Sequence, residues 1–213
     1  MDDRESAGYL LGETARLLRV NAGLALAAVA ALTLIGVVSD LYPAFAGPAG
    51  FASLIALLVF QYEISSRLLI HYDLVDGGGR RRLWALLGLH IVSGLGILLG
   101  LILLVLPAAY LFVRWSAAVP ALIAEETGVT ESLRVSGEAV EGRFWHVFAA
   151  ILVVWTPYAA GLLAWALAPE DGSLIESLIV RLPVNLSLIA AWHLAVATYA
   201  GRQNHHRLAE VFA

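Results

Sequence analysis

The sequence predicts an all-α integral membrane protein: a six-helix bundle with an amphipathic cytoplasmic helix at its N-terminus and a short cytoplasmic helix between spans four and five. Three observations predict it. The 213-residue chain is 60 % hydrophobic and only 14 % charged, with a mean hydropathy of +0.81, whereas soluble domains are about 45–50 % apolar and about 25 % charged. Its apolar residues fall in runs close to the roughly 20 residues that a helix needs to cross a bilayer core. Its few charges gather between those runs. This excludes an ordinary soluble enzyme, a disordered chain and a nucleic-acid binder, which would carry a basic surplus; here 17 acids face 13 bases, all Arg. No Cys is present, so disulfides, thiolate metal sites and cysteine nucleophiles are excluded.

The spans follow in order. Asn21–Val38 is rich in Ala and Leu and stops at Ser39-Asp40, with Pro43, Gly47 and Pro48 as breakers. Ala44-Phe45-Ala46 has the small-x-small form of a cleavage site, but the apolar run is too long for a secretory h-region and its N-flank opens with acids, so an uncleaved helix is expected. Phe51–Ile70 is the second span, closing at Asp76-Gly77-Gly78-Gly79. From Leu83 to Ala124 the only charge is Arg114; this stretch is long enough for two spans, Leu83–Leu106 and Ala108–Ala124, with Pro107 at the hairpin. Phe144–Ala168 is the fifth, ended by Pro169-Glu170-Asp171-Gly172, and Leu174–Ala200 the sixth, expected to kink at Pro183.

Positive charge collects on cytoplasmic flanks. With both termini cytoplasmic, all Arg except Arg114 and Arg181 lie on or near that side, the Arg80-Arg81-Arg82 run foremost, while the outer loops hold Asp40, Glu170 and Asp171. This indicates an inner-membrane protein. Trp84, Trp145 and Tyr199 suit the cytoplasmic aromatic belt and Trp165 the outer one. Ser6–Arg19 alternates Leu10, Leu11, Leu17 and Leu18 with Glu13, Arg16 and Arg19, as a helix lying on the membrane face does. Between Thr130, a suitable N-cap, and Gly142, the residues Leu133, Ser136, Gly137 and Val140 share one helical stripe. Arg134 is spaced to meet Glu131 and Glu138. That stripe is either a partner-contact surface or a cap on the bundle.

The stretch from Tyr110 to Trp145 carries Arg114-Trp115, Pro120, Glu125, Thr127-Gly128, Glu131-Ser132-Leu133-Arg134, Ser136, Gly142 and Trp145. It resembles the membrane domain fused to some bacterial glycerophosphoryl diester phosphodiesterases, and related stand-alone membrane proteins. The resemblance implies a six-helix membrane bundle. It does not imply the phosphodiesterase activity, which resides in a separate soluble barrel for which this chain has no counterpart.

Ionisable groups at membrane depth are costly and mark candidate sites. Arg114 lies about 15 Å from the inner end of its span, and Glu63, His90 and His193 each about 10 Å deep, on three different helices. They define a candidate intramembrane polar site: Glu63 as proton acceptor or cation ligand, the histidines as relay or metal ligands, Arg114 as an anion contact. Interhelical hydrogen bonding is the structural alternative. No spacing supports a metal or cofactor, and no Walker loop, GxSxG or strand-borne GxGxxG is present. Gly96-Ile97-Leu98-Leu99-Gly100 permits close helix approach, inside the bundle or along a homodimer seam. The expected function is therefore non-catalytic, a lipid-embedded scaffold or partner subunit binding another membrane or cytoplasmic protein. The alternative is a small transporter or lipid-handling protein that uses the polar site.

Overall fold

A computed structural model describes residues 6–76, 82–167 and 173–212, with side chains through Gln203. The glycines Gly77–Gly79, Arg80, Arg81, residues Pro169 to Gly172 and the side chains of His205, His206 and Arg207 lie outside the described residues. Among the described residues there are helices and no strands. Five helical stretches are long and apolar enough to cross a membrane, and six when the bent pair Phe144–Val154 and Thr156–Leu167 is counted as one span.

Helix α1 (Ala7–Val20) starts where the Ser6 hydroxyl accepts the Tyr9 backbone N–H at 3.1 Å, satisfying one of the first-turn donors. Its buried stripe is Leu10, Thr14 and Leu17, spaced one helical turn apart. On the other side, Arg16 donates to Glu13 at 2.9 Å, and the Tyr72 hydroxyl donates to the same carboxylate. These bonds, the one from Arg16 first, hold the Glu13 carboxyl below its usual range, while burial and the Glu13 charge push the Tyr72 phenol up.

Helices α2 (Ala22–Leu41) and α3 (Ala46–His71) form a hairpin through the short 3-10 turn Pro43–Phe45. Only Pro43 breaks the chain there. Gly47 and Pro48, expected as breakers, lie in the first turn of α3, where proline's missing N–H costs nothing. Helix α4 (Leu83–Leu103) turns at the extended Leu104 into α5 (Val105–Arg114), so the hairpin comes three residues before Pro107, which sits in α5's first turn. Glycine is required here: a Cβ on Gly100 would stand 2.9 Å from the Ala108 backbone N, and one on Gly96 would stand 2.5 Å from the Trp115 ring. The Gly96 and Gly100 faces are thus filled from within the chain.

The expected span Ala108–Ala124 lies within the single candidate span Val105–Ala124, which a turn at Trp115–Ala117 divides into α5 and α6 (Ala118–Ala124). Helix α7 (Val129–Val140) follows, with Gly128 rather than Thr130 at its N-cap. Then come α8 (Phe144–Val154) and α9 (Thr156–Leu167), bent by 41° at Trp155, and α10 (Leu174–Phe212), unbroken through Pro183 and longer than expected. The Pro183 ring lies on Gly161 of α9, where a Cβ would come within 3.1 Å. Arg134 bonds both Glu131, at 3.0 Å, and Glu138, as its spacing predicts.

Helix α7 lies against α4, α5, α6 and α10. Its apolar stripe is consumed in doing so: Leu133, Ser136, Gly137 and Val140 are buried, Ser136 completely. This corrects the expectation of an exposed partner-contact surface; an amphipathic helix buries its apolar face against the nearest apolar surface, and the bundle supplies it. Arg143 is also buried and donates from Nε to the Ala139 carbonyl at 2.9 Å, while Arg202 donates to Glu138 at 2.5 Å and to the Val135 carbonyl at 3.2 Å. These arginines tie α7 to α10 as well as marking one end of the bundle. Tyr199 is buried rather than exposed in a belt; its hydroxyl donates to Glu125 at 3.1 Å and accepts from Gln203 at 3.0 Å. Trp84, Trp145 and Trp165 are exposed.

At the opposite end a polar seam joins α2 to α10. Arg181 donates to Asp40 through Nε at 2.9 Å and Nη2 at 2.5 Å, and Ser177 donates to the same carboxylate at 2.7 Å. Gly36 makes room for the Arg181 stem, and further along the seam Asn185 donates to Thr33 at 3.0 Å. Residues 177, 181 and 185 are one turn apart, so a single face of α10 carries the whole seam.

Candidate ligand cavity at two broken helices

The two breaks share a cause. Pro120 removes the N–H that would bond the Ser116 carbonyl, and Pro157 does the same to Val153, four residues earlier in each case. The chain opens in the residues just before each proline, at Trp115–Ala117 and at Trp155. Each break is then spliced by a fully buried serine from a neighbouring helix. The Ser136 hydroxyl donates to the Arg114 carbonyl at 2.8 Å and accepts the Ala117 N–H at 3.0 Å. The Ser187 hydroxyl accepts the Tyr158 N–H at 3.0 Å.

A cavity of about 300 Å³ lies where the two breaks meet α3, α4 and α10. Trp115 and Ser116 come from the first break and Trp155 from the second; α10 adds Trp192, and α5 adds Phe112, whose ring meets Trp155 edge-on at 6.1 Å. From α4 come His90, Ser93, Gly94 and Ile97, and from α3 Gln61. His90 and Gly94 on its rim are exposed in the middle of α4, and Phe112 is exposed near the end of α5, so the cavity opens through the side of the bundle.

Its polar groups are few. His90 Nε2 lies 2.7 Å from Gln61 Oε1; the ring N–H donates and the amide oxygen accepts, leaving the Gln61 amide protons. Behind the wall, Ser116 Oγ and Trp155 Nε1 have no accessible surface and no partner among the described residues, although buried donors are nearly always bonded. No Asp, Glu, Lys or Arg lines the cavity.

Of the four residues expected to form one polar site, only His90 lines this cavity. His193 is fully buried with Nδ1 donating to the Ile189 carbonyl at 2.7 Å, and its Nε2 has no partner among the described residues; its neighbours Trp192 and Leu194 reach the cavity and it does not. Arg114 is exposed, donates to the Tyr110 hydroxyl at 2.6 Å and lies over Gly137 of α7. Glu63 is half-buried on α3 and stands outside the cavity lining. Equal depth along three helices did not mean equal facing. Among the described residues no three His, Asp or Glu side chains come together as a metal site.

Gln61 and Ser116 went unnoticed in the sequence because neither is charged. The available signal was a proline inside each of two apolar runs, Pro120 and Pro157, four residues beyond the carbonyl that it strands. No protein-family model matches the chain, no curated protein is detectably similar to it in sequence, and no solved structure matches its fold.

Proposed function

We propose that this is a six-span inner-membrane protein, both termini cytoplasmic, that holds an uncharged amphipathic molecule taken from the bilayer. One observation carries the proposal: a laterally open cavity at two helix breaks, walled by aromatic and aliphatic side chains with His90, Gln61 and Ser93 and no charge. Small-molecule sites are commonly apolar with a few convergent polar groups. Broken spans supply such sites in membranes because irregular backbone is tolerated only where it is buried in protein or lines a cavity. An ion or a charged substrate would lack a counter-charge here, so binding of a neutral membrane-dissolved molecule is favoured over an ion path. The arginine distribution supports the orientation, and the likeness of Tyr110–Trp145 to the membrane domain described above is part of the same reading. The function is binding or handling, without catalysis. A scaffold role retains only the charged outer face of α7, which no observation favours over the cavity.

The test is native mass spectrometry of the protein released from its own membrane in nanodiscs. The wild type is expected to carry a bound small molecule. Gly94→Leu is expected to lose it, because a Cβ at Gly94 meets nothing within 4 Å and a longer side chain can grow into the rim without displacing the backbone. Leucine also favours helix over glycine by about 1 kcal/mol, so unchanged thermal stability is expected. A wild type and a variant carrying the same lipids in the same amounts sink the proposal.

A further inference from the structure

We infer that Arg114 holds the phosphate of a membrane phospholipid, at a site on the flank of the bundle separate from the cavity. Arg114 is the one charged residue of the candidate span Val105–Ala124, and it is exposed. Among the described residues no carboxylate pairs with it, whereas Arg16, Arg134, Arg181 and Arg202 each hold one. Of its N–H donors, one on Nη1 meets the Tyr110 hydroxyl at 2.6 Å, and no other has a partner among those residues. A guanidinium on an apolar span is costly unless something meets its charge. Its forked donors match the oxygens of a phosphate.

Two contacts set its depth. The Tyr110 ring stacks on Phe144, the residue that opens α8, at 5.5 Å between centroids, and Phe144 meets Trp145 edge-on at 5.3 Å. Tyr110 and Trp145 are exposed, Trp145 by 74 %, as aromatic residues are where a span leaves the apolar layer. On its other side the guanidinium lies against Gly137 of α7, where a Cβ would stand 2.7 Å from Nε. The outer face of α7, where Arg134 pairs with Glu131 and Glu138, is too polar to lie in that layer. Arg114 therefore stands at the membrane face and not midway across its span.

The fixed anions at that level belong to lipid headgroups. A free phosphate ion shares their chemistry but uses nothing of the aromatic flank. A phospholipid uses both, with its phosphate on Arg114 and its acyl chains running into the bilayer past Tyr110, Phe144 and Trp145. Gly137 is the positioning residue, since its missing side chain lets the guanidinium rest on α7.

The experiment titrates the protein in detergent with phosphatidylglycerol and follows bound lipid by native mass spectrometry. Saturable binding is expected for the wild type, and binding about tenfold weaker for Arg114→Gln, the loss of one charge-assisted contact. Arg67→Gln, which removes an exposed arginine on α3, should change nothing. Gly137→Ala keeps every charge but lifts the guanidinium off α7, and Tyr110→Phe frees it from its one partner; each should weaken binding about threefold. The splice at the helix break uses the Arg114 carbonyl and not its side chain, so lipid-free Arg114→Gln should unfold at the wild-type temperature. Equal binding by the wild type and Arg114→Gln overturns the inference, as does an equal loss in Arg67→Gln, which would report net charge alone. If Arg114→Gln does not fold, unchanged binding by Gly137→Ala overturns it instead. Displacement of the lipid by millimolar inorganic phosphate would assign the site to the free ion and overturn the lipid assignment. Gly94→Leu should leave phosphatidylglycerol bound; its release there would place the lipid in the cavity and remove the separate site.

Discussion

Two parts of this molecule place polar groups within apolar helices, and they treat them oppositely. Along the α2–α10 seam, Ser177 and Arg181 both bond Asp40 and Asn185 bonds Thr33, and α10 runs on without interruption even through Pro183. Around the cavity, α5–α6 and α8–α9 are both broken, and Ser116 and Trp155 keep unpaired polar atoms. A closed set of partners binds one helix to another. An open set is unfavourable by itself, since an unmade buried hydrogen bond costs about 1–3 kcal/mol per group, and persists where something else completes it. The presence of polar residues in a span therefore says little; whether their hydrogen bonds are already spent separates glue from site.

The sharpest way to break this contrast is at the splices. Ser136→Ala leaves the Arg114 carbonyl and the Ala117 N–H buried and unpaired, and should cost about 2–4 kcal/mol, read as a large fall in thermal stability in detergent. Ser187→Ala strands only the Tyr158 N–H and should cost about half as much. If Ser136→Ala proves neutral, the break is held by its prolines and packing alone, and the cavity wall is less dependent on α7 than its hydrogen bonds imply. Next in size is the seam. Asn185→Leu removes one buried bond and Asp40→Asn weakens a pair that is more than a third exposed, so each should cost about 1 kcal/mol, in line with interhelical bonds measured in membranes. Equal, large losses at both positions would mean that the seam is cooperative.

Ser116→Ala should go the other way. The hydroxyl is buried without a partner, so its removal relieves desolvation and should leave the ligand-free protein unchanged or more stable by up to about 1 kcal/mol. A clear destabilisation would show that this oxygen is already satisfied.

The spans were legible because bilayer thickness imposes a length on apolar runs, and the Arg134 pairings were legible because helix spacing fixes them. The breaks were not. Pro120 and Pro157 stand in apolar runs with no change of composition, and the groups that complete each break, Ser136 and Ser187, come from other helices. The site was misread for a related reason. Depth can be counted along a sequence, but facing cannot: Gln61 and Glu63 are two residues apart, about 200° around α3, and it is the neutral amide that lines the cavity. A search restricted to charged groups passes over such a wall.

The smallest effect concerns α1, which is fixed by a closed set at the opposite extreme from the cavity, exposed and ionic. Arg16 and Tyr72 both donate to Glu13 and hold its carboxyl below the ordinary value of 4.5. A depressed folded-state value contributes stability that is present above the unfolded value and is lost as pH falls through the folded one. Acidification below the usual carboxylate range should therefore loosen α1 from the end of α3, while raising the pH to 8 should not. The chain has no Cys, so a nitroxide on Gly12→Cys, at an exposed position with nothing within 4 Å of its Cβ, reports α1 alone. Its mobility should rise on acidification in the parent, and Glu13→Gln should be mobile already at neutral pH and insensitive to acid. Identical spectra at pH 7 and pH 3 in the parent would show that Leu10 and Leu17, both fully buried, hold α1 without help from the carboxylate.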